Sequence, residues 1–331
     1  MRNLLTDIAG IAVGHATDLA LGSGVTAVLF DEAATASVII LGGAPGSRDT
    51  AMLEPEMTQQ SVNGFVLSGG SALGLDAAGG VQAALREQGR GLRLGTTIIP
   101  LVPQAIIFDL MNGGNKDWGR FSPYRDLGYA AACAATPGEF ALGTVGAGTG
   151  ATTATVKGGL GSASAIASTG HIIAALAVVN AVGTATIGDD AHFWAAPFEV
   201  GAEFGGRGWP AAVKPDALAL RAKGYSRPGE TATTIAVIAT DAVLTKSQVK
   251  RLCIMANDGL ARALLPAHAP TDGDTVFGAA TGAKPLAEDR DLTVLGHLAT
   301  QVMARAIARG VYEATALPYP GALTSWRERF A

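Results

Sequence analysis

Charge is scarce in this chain. Only 16% of its 331 residues are Asp, Glu, Lys or Arg, and the formal net charge is −4. No cluster of Lys and Arg forms a stripe, so nucleic acid and anionic membrane surfaces are set aside as partners. Cysteine is scarcer still, with Cys133 and Cys253 and no Cys-x-x-Cys or Cys/His ligand spacing. Two buried structural thiols in a reducing, cytoplasmic setting are the expectation. The five histidines (His15, His171, His192, His268, His297) are scattered, and none stands four residues from another. That spacing gives no helical zinc pair, and neither a metal nor another cofactor is expected. The N-terminus has no long apolar stretch before a small-residue cleavage site, so no signal peptide is read there. A membrane span is suggested only by residues 170–188, and Asn180, several threonines and internal glycines interrupt it. Buried strands with a turn account for it better.

What the chain does have is apolar residues (48%) and 44 glycines, without a collagen period or a polar low-complexity tract. A substantial core is within reach, in one large domain or two ordinary ones. Short apolar runs, most bounded by glycine, predict strands near 25–30, 37–43, 64–70, 93–102, 172–180, 234–240 and 274–282. Helical patterns cover 71–89, 245–266 and 288–315, the second opening on a Thr245-x-x-Gln248 capping box. Strands and long helices alternate irregularly, which indicates a layered α/β class. Residues 203–232 are rich in Gly, Pro and charge and read as a surface connection into the strand at 234.

Familiar motifs fail. In "GAGTGATTATVKGG" (146–159), Ala151 stands where a dinucleotide fingerprint needs its third glycine, and Lys157 is flanked by Val156 and Gly158 rather than set in Gly-Lys-Ser/Thr. "SGGSALG" (68–74) is not Gly-x-Ser-x-Gly, and Ser71 reads as a turn or cap residue. A Ser-His-Asp triad, which assembles in space, is neither favoured nor ruled out by spacing.

Several ordered blocks together are more specific. They are "LTDIAGIAVGHAT" (5–17), "GFVLSGGSALGLDAAGGV" (64–81), "VGAGTGATTATVKGGLGSAS" (145–164), "AVVNAVG" (177–183), "TTIAVIATDAVLTK" (233–246) and "DGDTVFGAATG" (272–282). On these blocks the chain resembles the DmpA/BapA-type aminopeptidases, to which the nylon-oligomer hydrolases of the NylC kind are related. The resemblance implies a four-layer α-β-β-α sandwich, like that of the ornithine acetyltransferases and close to the N-terminal nucleophile hydrolases in layering. It implies self-cleavage between Ala232 and Thr233, giving one catalytic domain made of segments 1–232 and 233–331. Thr233 would then serve as nucleophile, and its new α-amine, titrating at roughly 7.7–8.0, as base. Lys157 matches a lysine near the nucleophile and Asn180 an oxyanion donor. Asp272 and Asp274 match an acidic pair that orients the nucleophile, Phe108 and Asp109 match the substrate side, and Gly146 and Gly148 would line the pocket through their backbone. The implied partners are small peptide or amide substrates and further copies of the chain, as a tetramer of cut pairs.

Each of these residues has a plainer reading. A threonine before a strand is commonly a β-former or cap, a lone lysine is commonly solvated, Asn180 would close a turn, and "DGD" would be a hairpin turn. The chain also departs from the pattern. Ala232 stands where many relatives have Asn, Thr231 and Thr234 flank the expected cut, and Ile106 stands where aminopeptidases place a glutamate for the substrate ammonium. The alternatives are an acyltransferase of the ornithine-acetyltransferase kind and an unprocessed binding homologue.

Overall fold

The computed structural model describes residues 1–224 and 231–331. Eleven strands occur among them. The first half of the chain supplies β1 (Ile11–Asp18), β2 (Ser23–Ile40), β3 (Ser47–Arg48), β4 (Ser61–Ser68), β5 (Leu92–Leu94), β6 (Thr97–Ile99) and β7 (Gln104–Ile106). The second supplies β8 (Leu160–Ile166), β9 (Ile172–Asn180), β10 (Thr233–Ala242) and β11 (Thr275–Lys284). The helices are α1 (Ala77–Glu87), α2 (Tyr124–Cys133), α3 (Lys246–Ala263), α4 (Asp291–Tyr312) and the short α5 (Trp326–Phe330).

Nine strands form one sheet in the order β3-β7-β4-β2-β11-β10-β9-β8, with β1 pairing β2. The 18-residue β2 holds it together. Its first part pairs with β1 and β4, and its last part, from Thr35 to Ile40, pairs with β11. A register shift between Leu29 and Ala34 separates the two, where residues 31–33 are exposed. The apolar runs at 25–30 and 37–43, predicted as two strands, are therefore one strand interrupted by an irregularity rather than a loop.

Side-chain alternation along the strands divides the interior into three cores. Val25, Ala27 and Leu29 pack with Val66 against α1 and α2. Val28, Phe30, Phe65, Leu67, Leu176, Val178, Ile235, Val237 and Phe277 meet between the two halves of the sheet. Ala177, Val179, Ala236, Ile238 and Val276 face α3 and α4. Neighbouring residues of β9, β10 and β11 thus enter different cores, which is why these strands read as unbroken apolar runs. The layering is α-β-β-α, as expected from the resemblance. Small residues let the outer layer close: a Cβ on Gly161 of β8 would lie 2.0 Å from the Ala306 carbonyl oxygen of α4. Helix α3 begins with the expected box, Gln248 N–H donating to Thr245 Oγ1 and Thr245 N–H to Gln248 Oε1.

Other expectations need correction. Residues 93–102 form no single buried strand; β5 and β6 make a separate two-stranded hairpin with Leu92, Leu94 and Ile99 exposed. Residues 71–76 are a 3-10 turn before α1, with Ser71 at φ 52° after Gly70. Cys253 is buried, but Cys133 is exposed at the end of α2. In the connection 203–232, Ala222, Lys223 and Ala232 are buried, so it is not wholly a surface segment. Its residues 225–230 lie outside the described residues. No helix among the described residues is long and apolar enough to cross a membrane.

Candidate active site

Strand β10 begins at Thr233, directly across from the end of β9, with Thr233 and Asn180 as register partners. The preceding residue, Ala232, forms a parallel bridge with Asp272, just ahead of β11. Three chain segments therefore converge on one sheet end: the start of β10, the end of β9 and the "DGD" turn. Thr233 is only 3% exposed. Its hydroxyl donates to the carbonyl oxygen of Ala232 in a short contact. The same carbonyl accepts the Gly273 N–H at 3.2 Å. Gly273 has no room for a side chain, since a Cβ there would lie 2.7 Å from Thr233 Oγ1.

Lys157 is buried and donates from Nζ to the carbonyls of Ala151 (2.7 Å), Gly158 (2.7 Å) and Gly148 (3.1 Å). Burial lowers its ammonium to about 7, Lys223 pushes the same way and Asp109 opposes. Three carbonyl acceptors around one amine are a set that only the ammonium satisfies.

The side chain of Asn180 is fully buried. Its Oδ1 accepts from Thr152 N–H (3.0 Å) and Lys223 Nζ (2.7 Å), while Nδ2 donates to the Phe108 carbonyl (3.2 Å). Of the two N–H bonds on Nδ2, one is engaged by the Phe108 carbonyl.

The two aspartates have different surroundings. Asp274 accepts Thr234 N–H at 2.7 Å on Oδ1, and His268 Nδ1 at 2.8 Å and His268 N–H at 3.1 Å on Oδ2. Asn257 Nδ2 lies 2.9 Å from His268 Nε2 on the other side of the ring. Asp272 accepts only Gly273 N–H, at 3.0 Å, and its Oδ2 is buried with no hydrogen-bond partner among the described residues. Burial first, and the neighbouring Asp274 second, push the Asp272 carboxyl up to about 8.

A cavity of about 170 Å³ opens beside these groups. Phe108, Asp109, Gly150, Thr152, Lys157, Lys223 and Thr231 line its wall, together with Met111, Asn112 and residues 320–323. Gly150 and Thr152, not Gly146 and Gly148, bring the glycine-rich loop to this wall. Gly148 takes part only through its carbonyl to Lys157, and Gly146 is packed against Thr26 and His15. Asp109 is buried, accepting from Ser23 Oγ (2.6 Å) and Gly70 N–H (2.8 Å), and burial raises its pKa. Ile106 lies in β7 with its side chain against Gly46, so it offers the cavity no charge.

Two residues of this site were not singled out from the sequence. His268 had a local signal, standing four residues before "DGD" across Pro270, but it was read only for metal spacing. Lys223 had none, since nothing distinguishes it from Lys214 in the same polar connection.

Comparison with known proteins gives a consistent result. The family model described as peptidase family S58 matches residues 3–322. An uncharacterized aminopeptidase of Mycobacterium bovis is 41% identical, over 99% of this chain and 98% of its own length. A 6-aminohexanoate-oligomer endohydrolase of Kocuria is 27% identical, over 91% of this chain and 84% of its own. The solved L-aminopeptidase D-Ala-esterase/amidase of Ochrobactrum anthropi, a variant of the Ntn hydrolase fold, superposes with a TM-score of 0.72 at 20% identity, over 99% of this chain and 92% of that one. That likeness carries the fold.

Proposed function

The chain belongs to peptidase family S58, and from that premise we propose that this hydrolase of peptide bonds cuts itself between Ala232 and Thr233 and then uses Thr233 as an N-terminal nucleophile. The observation that carries the reading is the Thr233 hydroxyl set against the Ala232 carbonyl, with Gly273 N–H on the same oxygen. A donor held at a carbonyl stabilises the negative charge that develops there under attack.

The step balances as an N-to-O acyl shift. Thr233 Oγ forms a bond to the Ala232 carbonyl carbon; its proton passes to the carbonyl oxygen to which it already donates, and from there to Asp272 in place of the proton Asp272 gives to the nitrogen, as the carbonyl re-forms. The C–N bond breaks, and the departing nitrogen takes a proton to become the α-amine of Thr233. Asp272 still holds its proton near neutral pH and serves as the acid for that nitrogen. Water then hydrolyses the ester, leaving a carboxylate on Ala232 and restoring the hydroxyl. The new amine lies within the same residue as the hydroxyl and serves as its base in later turnovers.

The remaining groups support this centre. Lys157 holds the glycine-rich loop and places a positive charge that lowers the pKa of the new amine. Asn180 presents its second N–H to the substrate oxyanion. Asp274 binds Thr234 N–H and so fixes the peptide that follows the nucleophile. Thr231 forms part of the cavity wall while Thr233 is buried two residues further on, so departure of the upstream end opens the path to the hydroxyl. The substrates are small peptides or related amides, with Asp109 the candidate partner for a substrate ammonium.

Denaturing gels and N-terminal sequencing test this reading. Wild type should give two bands, the smaller beginning at Thr233, and Thr233→Ala should stay as one band and hydrolyse no amide. An active wild type that remains uncut would refute it.

A further inference from the structure

Lys223 lies upstream of the proposed cut, yet it is anchored independently of it. Its backbone N–H donates to Val182 O at 2.9 Å, just beyond the end of β9. Its side chain is buried, and Nζ reaches Asn180 Oδ1 at 2.7 Å and Asn180 O at 3.3 Å. Nζ therefore grips both the side chain and the main chain of the residue registered with Thr233.

An asparagine amide has two nearly isosteric ends, and only its hydrogen-bond partners decide which end points where. Thr152 N–H and Lys223 Nζ are both donors, so the oxygen must face them. The NH₂ group is then turned towards the Phe108 carbonyl. Without Lys223, only two uncharged groups, the Thr152 N–H and the Phe108 carbonyl, would oppose the flipped amide, and the flip would present an oxygen where the reaction needs a donor. A hydrogen bond from a charged donor is roughly twice as strong as a neutral one, so the lysine dominates this choice.

We propose that Lys223 is a positioning residue that locks the Asn180 amide with Nδ2 turned to the reacting carbonyl, both before and after the chain is cut. The inference rests on the reading of Asn180 as an oxyanion donor. A competing role for Lys223 is its charge, which is felt by Lys157 and Asp272. That role would not depend on Asn180.

The test is a double-mutant cycle with Lys223→Met and Asn180→Ala, reading kcat and KM of the matured protein on a small amide and the rate of self-cleavage by intact mass after cell-free synthesis. Asn180→Ala should lower both rates by roughly 100- to 1,000-fold, the usual loss for one oxyanion donor. Lys223→Met should lower kcat by about 10-fold or more with KM little changed, as expected for a contact that acts in the transition state. In the Asn180→Ala background it should do nothing further. Lys223→Gln keeps an N–H donor without the charge, so it should retain more activity than Lys223→Met; it also replaces the methionine variant in the cycle if that variant does not fold. An equal loss from Lys223→Met or Lys223→Gln with and without Asn180 would overturn the inference. So would Lys223→Gln falling as far as Lys223→Met, which would assign the effect to charge. If Asn180→Ala itself costs nothing, the oxyanion reading of Asn180 fails first and takes the inference with it.

Discussion

Gly273→Ala is a steric probe aimed at Thr233, the proposed nucleophile. Gly273 does not hold a left-handed φ, so alanine suits its backbone. The new Cβ would lie 2.7 Å from Thr233 Oγ1 and 3.0 Å from Cγ2. Ordinary contact begins at 3.4 Å, so the hydroxyl must retreat by about 0.7 Å, the difference between 3.4 and 2.7. A misplacement of 1 Å costs on the order of 100-fold in rate, so this retreat scales to a slowing of self-cleavage by about 25-fold. The Cβ would also lie 3.1 Å from the Ala44 carbonyl oxygen, and overpacking of this kind costs roughly 1–3 kcal/mol of stability. The assay is intact mass against time after cell-free synthesis, with circular dichroism to show that the variant is folded. Replacing Thr233 by serine in the same variant removes Cγ2 and keeps the hydroxyl, so part of the rate should return. A folded Gly273→Ala chain that cuts itself as fast as wild type would refute the placement of the attacking oxygen.

Two further perturbations address the charged groups. Lys157→Met removes three hydrogen bonds; Ala151 O keeps the Gly158 N–H and Gly148 O keeps the Ala151 N–H, while Gly158 O is left facing an apolar stem. At roughly 1–3 kcal/mol for that one unsatisfied acceptor, the urea midpoint should fall even though a buried charge is gone, and self-cleavage should fall at least about 100-fold. Lys157→Arg should not restore it, because a planar fork cannot meet three carbonyls ringed around one point; wild-type processing in either variant would count against the site. Asp272 gives a pH signature. Its folded carboxyl keeps a proton up to about 8, whereas an unfolded aspartate releases its proton near 3.9. The native chain binds more protons across that window, so the contribution of Asp272 to stability is fully present below about pH 4 and is lost as pH rises towards 8. In a common Thr233→Ala background, which keeps both chains uncut, Asp272→Asn should remove this slope and gain most over its parent at the alkaline end. Parallel urea-midpoint profiles from pH 4 to 8 would show that the carboxyl titrates normally.

What the sequence disclosed, and what it hid, follows from how each residue acts. Strand β10 was legible because both its faces are buried, so Ile235, Val237 and Ala239 on one side and Ala236 and Ile238 on the other leave no polar gap. Strand β9 was legible over the same residues for the same reason. Strands β1 and β8 were missed: the first carries His15 and Asp18, the second is built of Gly, Ser and Ala, and neither shows a strong apolar run. The small residues in β8 answer to the close approach of α4, a tertiary demand that no local pattern records. The candidate site divides in the same way. Thr233, Asn180, Asp272 and Asp274 sit at strand ends, where the sheet itself decides their neighbours, so ordered sequence blocks carry them. Lys223 and His268 arrive from irregular connections and are held by contacts with distant segments, Lys223 with Val182 and Asn180, His268 with Asp274 and Asn257. A lysine in a polar, glycine- and proline-rich stretch has the composition of a solvated loop whether or not it turns inward. Its burial becomes visible only when the buried amide it must satisfy is seen beside it. In this chain the proposed reacting atoms are therefore encoded by strand pattern, while the groups proposed to aim them are encoded by contacts between segments distant in sequence.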